Sequence, residues 1–371
     1  MPGFEYKILS SITQLDKKEW DCLFGDLAEG YGFYKTLEDS HLKDFTFYYL
    51  TLRNDKEAVL LLPLFITDFN LDIGVKGWFC KIIGSIRKIF PRFMILRTLF
   101  CGSPFGEYGV VPIKSGIEID NLLFELNNAL MAFCKKNNIA LVVFKDFLTK
   151  DTPILDKLRK KGFFKVTSFP SVVTDINFTS FDEYLKTLSH ATRKNIRRKL
   201  KITYASADIA IKITDNVNDI VDDVFRLYEY TYHKGATKFE RLTRDFFINV
   251  ARNMHPEARF FLYYCNEKLG AFNLCFCHRD TLIDKFIGFD YDIARKYNLY
   301  FLTWCYNVEW CLKNNIRYYQ TGQTDYHLKI KMGGKLIPLY AYVKHMHPLM
   351  NSILKVMAIF LKPENFDRDI K

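Results

Sequence analysis

Glycine and proline are scarce in this chain of 371 residues, at 18 and 11, which excludes collagen-like, linker-dominated and low-complexity disordered architectures. No stretch reaches the ~18 uncharged apolar residues that span a bilayer, and the opening Met1-Pro-Gly-Phe-Glu-Tyr-Lys7 has no apolar core of signal-peptide length. A cytoplasmic protein is expected, attached at most to the inner surface of a membrane. Paired CxxC motifs are also missing. The nine cysteines are odd in number and dispersed through apolar runs, and Cys275-Phe-Cys277 is a lone CxC, so free thiols and no metal are expected. Negative charge is in deficit as well, with 42 acidic against 53 basic residues and a net charge of +11. That excess suggests an anionic partner, a nucleotide-bearing cofactor, RNA or a membrane surface, without choosing among them.

What the chain has is apolar mass, 49% hydrophobic and 16% aromatic, enough for large cores. At ~100–200 residues per domain its length suits two units. An order of parts recurs about every 180 residues. Strand-like runs FTFYYLTLR and AVLLLPLFI flank the polar turn 54–57; later ARFFLYYC and GAFNLCFCH flank 266–269, and TLIDKFIGFD follows. Downstream of each hairpin comes a helical pattern, over 121–138 with Leu122, Leu126, Ala129 and Leu130, and over 299–315 with Leu302, Tyr306 and Trp310. Each pattern ends in Lys-Asn-Asn and leads into a short strand, IALVVF or IRYYQTG. The expected fold is α/β with mixed (α+β) sheets: two domains in tandem, 1–168 and 169–371, each a mixed central sheet flanked by helices, with the boundary near Phe169-Pro170-Ser171.

Two basic stretches stand out. Residues 186–201 hold Lys186, Arg193, Lys194, Arg197, Arg198, Lys199 and Lys201 with no acidic residue. Arg193 and Arg197, and Lys194 and Arg198, are spaced i, i+4 and form adjoining cationic rows on one helix. Its partner could be a cofactor phosphate, an acidic carrier protein or a tRNA acceptor stem; a solvated helix face is the plainer alternative. Residues 76–94 place Trp78, Ile82, Ile86, Ile89 and Phe93 on one helical side and Lys81, Ser85, Lys88 and Arg92 on another, a pattern suited to a membrane interface or to packing on its own domain. Pro91 limits that helix to its first turns. Residues 349–361 form a second apolar helix, expected to cap the core or make a dimer contact.

The block FDEYLKTLSHATRKNIRRKLK from Phe181, with Tyr184, Leu185, Leu188, Arg193, Ile196, Arg197 and Arg198, is followed by Gly288-Phe289-Asp290, Asn298, Ile316-Arg-Tyr-Tyr319, Gly322, Lys329 and Gly333. Together these resemble the tandem GNAT-fold transferases, comprising Fem-type aminoacyl transferases and related peptidoglycan-biosynthesis-like N-acyltransferases. The resemblance covers roughly the C-terminal half; the first half matches in its order of elements and in Gly106-Glu107-Tyr108-Gly109. It implies an N-acyltransferase moving an acyl group from a coenzyme A or acyl-carrier-protein thioester to an amine, or alternatively an aminoacyl transferase using aminoacyl-tRNA and acting on a peptide or cell-wall precursor. A non-catalytic membrane-surface protein is a third reading.

Within that resemblance, Arg295, Lys296 and Asn298 stand where a pyrophosphate loop precedes a helix N-terminus, which favours anions. Asn298 replaces the first glycine of the loop and tolerates a left-handed backbone; Tyr300 departs from the second. Arg193, Arg197 and Arg198 are the further anion-binding candidates. Asp290 is expected to accept a proton from the amine or to orient it, although a strand-end carboxylate is also a common turn former. Tyr326 and His327 are candidates for protonating a leaving group, His327 the better placed by its ordinary pKa. Lys329 and Lys331 are expected to alternate along an extended segment and contact phosphate.

Overall fold

The runs rich in Phe, Tyr, Leu and Val form the strands they suggest, because β-branched and aromatic side chains fit a pleated, half-buried surface. The computed structural model describes residues 4–370 apart from 26, 56, 73–77, 236–240, 361 and 366, and for residues 78–81, 360 and 368 the backbone alone. Strands β1 (Glu5–Leu9), β2 (Thr46–Asn54), β3 (Glu57–Asn70), β4 (Ile95–Cys101), β5 (Leu141–Leu148) and β6 (Phe164–Asp175) lie in the first half. Strands β7 (Ile209–Thr214), β8 (Ala258–Cys265), β9 (Lys268–His278), β10 (Thr281–Phe289), β11 (Tyr318–Gln320) and β12 (Lys335–His345) lie in the second.

The chain folds into two compact units. One comprises Met1–Tyr34, Leu42–Pro170 and Pro338–Lys371; the other comprises Lys35–His41 and Ser171–Ile337. A single cut at 168/169 therefore does not describe the grouping. The main crossing falls at Pro170, but the C-terminal strand and apolar helix belong to the first unit, and residues 35–41 belong to the second. The physical reason is pairing: β12 lies antiparallel to β5, with Leu339 opposite Leu148 and His345 opposite Leu141.

In the first unit β1, β2, β3 and β4 are successive antiparallel neighbours, and β4 then runs parallel to β5. The second unit repeats this, with β7, β8, β9 and β10 antiparallel and β10 parallel to β11. Each parallel step is bridged by the expected crossover helix, Ile119–Lys136 or Leu299–Lys313. Each helix stops on a left-handed asparagine, Asn138 (φ 53°) or Asn315 (φ 56°). The next amide reaches back over the last turn, from Ile139 to the Cys134 carbonyl at 3.0 Å and from Ile316 to the Cys311 carbonyl at 2.9 Å. This closing bond satisfies a carbonyl that the helix leaves unpaired.

Leu122, Leu126, Ala129 and Leu130 of the first crossover helix pack on Leu50, Leu62, Leu99 and Val142 of the sheet. In the second unit Leu302, Cys305, Val308 and Cys311 pack on Phe261, Ala271 and Leu282, together with Tyr184, Leu185 and Ile196 of the basic-helix region. At about 1.5–3 kcal/mol for each large apolar side chain removed from water, these faces dominate the stability of each unit. No helix among the described residues is long and apolar enough to cross a membrane.

Segment 76–94 is partly as expected. Its helix, Trp78–Arg87, ends four residues before Pro91. The inward residue is Ile83, whereas Ile82, Ile89 and Phe93 are exposed; Lys76 and the side chains of Trp78 and Lys81 lie outside the described residues.

Candidate active site

Strand β10 reads TLIDKFIGF, a carboxylate and a cation set inside an apolar run. Its parallel pairing with β11 lasts three residues, Thr281 with Tyr318, Leu282 with Tyr319 and Ile283 with Gln320. Beyond Ile283 the edge of β10 that faced β11 has no strand partner among the described residues. On the other edge the register with β9 shifts between Asp284 and Phe286, so Lys285 is an extra residue in the strand. Such a bulge bends a strand and re-aims its side chains. The two irregularities coincide at Asp284.

The Asp284 carboxylate is held by a buried polar chain. It accepts from Asn273 Nδ2 at 2.9 Å and from the Tyr319 hydroxyl at 3.1 Å. Tyr319 Oη in turn accepts from Asn307 Nδ2 at 2.9 Å, and Asn307 Oδ1 accepts from the Tyr263 hydroxyl at 3.1 Å. Asn273, Asn307, Tyr263 and Tyr319 are all fully buried. Burial, with the Asp284 charge nearby, pushes both tyrosine phenols well above their ordinary value, so both remain protonated donors. Asp284 itself is half-buried, and a carboxylate partly withdrawn from water is disfavoured without such donors.

Tyr300, in the first turn of the crossover helix, faces the same place. Its phenol is pushed up by burial first and then by the charges of Asp325 and Asp284. Its ring packs against Phe289 and Phe301, with centroids 6.3 and 6.1 Å away. Lys329 arrives from the C-terminal side. It is buried, and its ammonium donates to the Thr321 carbonyl. Thr321 follows Gln320 as Asp284 follows Ile283, so Lys329 and Asp284 attach to the strands where they part. Lys329 lies on a short helix, Tyr326–Lys331, not on the extended segment expected. The turn after that helix needs Gly333, whose φ is +94°, and the Gly334 amide closes it on the Lys329 carbonyl at 2.9 Å. The Lys-x-x-x-Gly spacing is thus a helix and its stop.

The other residues singled out from the sequence distribute as follows. Tyr326 is buried and His327 exposed on the Lys329 helix. Asp290 caps the helix Tyr291–Lys296, accepting from the amides of Asp292 and Ile293, with Lys268 at 3.6 Å. Both amides use Oδ1, which gives the carboxylate the role of a helix cap, while Oδ2 faces Lys268. Asn298 is left-handed, φ 50° and ψ 39°, and its own side chain makes no capping hydrogen bond to the helix that starts there. Arg295 and Lys296 form the last turn of the preceding helix; Lys296 lines an open surface pocket with Lys268, Asp292 and Tyr297.

Helix His190–Ser206 is docked on this helix start by Thr203, whose hydroxyl donates to the Tyr297 carbonyl at 2.7 Å. Lys199 lies over the Phe301 ring at 3.5 Å, and burial with the neighbouring Arg198 lowers its pKa. The arginines serve local ends. Arg193 donates to the carbonyls of Lys186 and Leu188, Arg197 pairs with Asp182 at 2.9 Å and Arg198 donates to Asn195. Lys199, not named as a candidate, is the member of the basic row that reaches the helix start.

Sequence reasoning also missed Asp284, Asn273 and Asn307. The available signal was polarity out of place: Asp284 interrupts an apolar strand and Asn307 an apolar helix, and polar residues set among apolar neighbours are rarely drawn inward unless paired.

Residues 103–368 match the FemAB-like family, described by its role in peptidoglycan biosynthesis and recognition. The chain belongs to this family. Among curated proteins it is 24% identical over 324 residues to proteins named for 8-amino-7-oxononanoate synthase 2 from two Mycobacterium tuberculosis strains. That match covers 85% of this chain and 42% of those relatives, so the chain spans less than half their length. Among solved structures it resembles FemX (TM-score 0.58, 11% identity, covering 95% of this chain and 100% of that one). It also resembles a tandem GNAT protein from the clavulanic acid biosynthesis pathway (0.53, 11%, 93% and 99%) and L-PGS from Bacillus licheniformis (0.53, 9%, 87% and 95%). At these identities the likeness is one of fold, and it fixes the FemAB-like chain as a tandem GNAT-fold protein.

Proposed function

We propose that this FemAB-like protein is a transferase that moves an acyl or aminoacyl group from an anionic carrier onto an amine, with the chemistry in the second unit. The observation that carries the reading is Asp284, a carboxylate fixed by Asn273 and Tyr319 at the point where β10 and β11 part. In the proposed reaction the amine nitrogen attacks the donor carbonyl carbon. The C–N bond forms, the bond from carbonyl carbon to carrier oxygen or sulfur breaks, the amine proton passes to Asp284, and the carrier leaves with its electron pair. General-base help of this kind is worth about 10²–10⁴ in rate, and a base held by fixed partners needs no rearrangement to act.

Two donors fit an anionic carrier, a thioester of coenzyme A or carrier protein and an aminoacyl-tRNA. Asn298 has the backbone a pyrophosphate loop needs, but Tyr300 puts a packed aromatic ring at its second small-residue position. That favours the aminoacyl-tRNA reading, in which Lys199 and the basic helix face a polynucleotide. Titration of the purified chain with acyl-coenzyme A, acyl carrier protein and bulk aminoacyl-tRNA separates them. The expected result is a tRNA complex whose affinity falls steeply with salt; tight, salt-insensitive acyl-coenzyme A binding alone overturns the tRNA assignment, and binding of none of the three overturns the transferase reading.

A further inference from the structure

The C-terminal helix Pro348–Phe360 reads PLMNSILKVMAIF, with one charge, Lys355. A helix this apolar is ordinarily buried. Here none of its described side chains is buried. Leu349 is 61% exposed, Val356 57% and Ile359 59%, with Ile353 between them on the same i, i+4, i+7 row. Leu354 packs inward on a small cluster of the first unit's sheet, Phe65, Phe100, Leu141, Val143 and Ala341, and Phe69, Leu71 and Leu96 pack on that same cluster.

Phe69 and Leu96 lie at the ends of β3 and β4, the two strands that segment 71–94 connects, and Leu71 opens that segment. Leu71 bonds through its amide to the Met94 carbonyl at 2.9 Å at the base of that connection. The connection carries a second exposed apolar group, with Ile89 76% and Phe90 65% exposed and Phe93 beside them. Arg87 pins this turn, pairing with Asp72 at 2.6 Å and donating to the Phe93 carbonyl at 3.0 Å, and Arg92 pairs with Asp68 at 2.7 Å. The arginines thus hold the turn so that its apolar residues point outward, with Lys88 exposed among them.

We infer that these two elements of the first unit form one docking face for an anionic lipid surface. Charge decides the occupant. No acidic residue occurs in 73–106 or in 326–363; Arg87 and Arg92 are paired with Asp72 and Asp68, which leaves the exposed Lys88 and Lys355 as the described cations among the apolar side chains. Near the start of the C-terminal helix, Asn351 Nδ2 donates to the Gly162 carbonyl at 2.9 Å, beside Lys161 and Lys344, whose charges act on one another. A second copy of the face would bring like charges together. An anionic bilayer accepts the apolar side chains between headgroups while its phosphates meet the lysines, at about 1 kcal/mol for each cation near the surface.

The test is flotation of the full chain with vesicles of phosphatidylcholine, alone or with about one-third phosphatidylglycerol. Flotation with the anionic vesicles is expected, with roughly tenfold less on phosphatidylcholine alone. Phe90→Glu and Val356→Glu are each expected to lower binding by roughly tenfold. The double change Lys88→Glu with Lys355→Glu leaves every apolar contact in place and is expected to remove the preference for anionic lipid. A wild-type chain that stays at the bottom with both vesicle types overturns the inference, as does unchanged flotation of the glutamate variants. A dimer seen by sedimentation that Val356→Glu dissolves, without lipid binding by the wild type, assigns the face to a second copy instead.

Discussion

The Tyr319 hydroxyl stands between Asn307 and Asp284, accepting from the amide of one at 2.9 Å and donating to the carboxylate of the other at 3.1 Å. The direction of this relay is fixed, because Asn307 Nδ2 can only donate and the buried phenol keeps its proton. Asp284 is therefore held as an acceptor by a donor that cannot reverse, beside the bulge at Lys285.

Asp284→Asn is expected to lower kcat/KM by about 10²–10⁴ per folded molecule. The asparagine oxygen still accepts from Asn273, but its amide then faces Tyr319 and leaves the buried phenol proton without its acceptor, so a stability loss of about 1–3 kcal/mol is expected beside the loss of activity. Tyr319→Phe removes a donor to Asp284 and strands the Asn307 amide, so it is expected to cost about 1–3 kcal/mol of stability as well as activity. Steady-state kinetics beside thermal melts check both; full activity in Asp284→Asn would take the carboxylate out of the reaction.

Asp290 is expected to behave as a helix cap. Asp290→Ala removes the acceptor for two amides and should cost about 1 kcal/mol, whereas Asp290→Asn, an equally good cap, should be close to neutral. Turnover per folded molecule is expected to be unchanged in both. A large loss of turnover in Asp290→Asn at wild-type stability would return the residue to the catalytic group.

The repeated half of the fold was legible because it rests on local signals. Alternating apolar strands, the 3.6-residue spacing of Leu122, Leu126 and Leu130, and the Asn-Asn stops each act over a few residues, and the structure carries them in both units. The exchange that puts β12 beside β5 was not legible, since strand pairing across nearly two hundred residues leaves no local mark. The site was half legible for the same reason. Lys329 and Asn298 sit in motifs, and both lie at the site or its neighbouring helix start. Asp284 needs Asn273, Asn307, Tyr319 and Tyr263, which come from three strands and a helix, and their meeting is a property of the packed sheet. Asp290 is ambiguous in the sequence because capping and catalysis ask the same thing of a carboxylate at a strand end.

Asn138 and Asn315 give a direct check on the repeated helix stops. Both have φ above +50°, where a β-carbon costs roughly 1–2 kcal/mol unless a short polar side chain compensates. Replacement of either by alanine is expected to destabilise by about 1 kcal/mol, and replacement by glycine to be nearly neutral. Urea titration of the four single variants tests the pairing of the two sites; equal costs for alanine and glycine would mean that the asparagine side chains, not the backbone, carry the stop.

Glu19 and Arg53 set a pH dependence in the first unit. Arg53 donates twice to the Glu19 carboxylate, at 2.6 and 2.9 Å, and these bonds hold the Glu19 carboxyl below its ordinary 4.5. A depressed acid contributes stability that is present above its unfolded value and is lost as pH falls through its folded value. The pair should therefore help at neutral pH and cease to help once the medium is acid enough to protonate Glu19 in the folded chain. Arg53→Met is expected to lower stability by about 1 kcal/mol near neutrality, the upper range for a partly exposed pair, with the gap from wild type closing as pH falls below the ordinary carboxylate range. Urea unfolding of both proteins across that interval measures the gap directly. A difference that stays constant down to full protonation would assign the loss to the packing of the arginine stem against its strand rather than to the charge on Glu19.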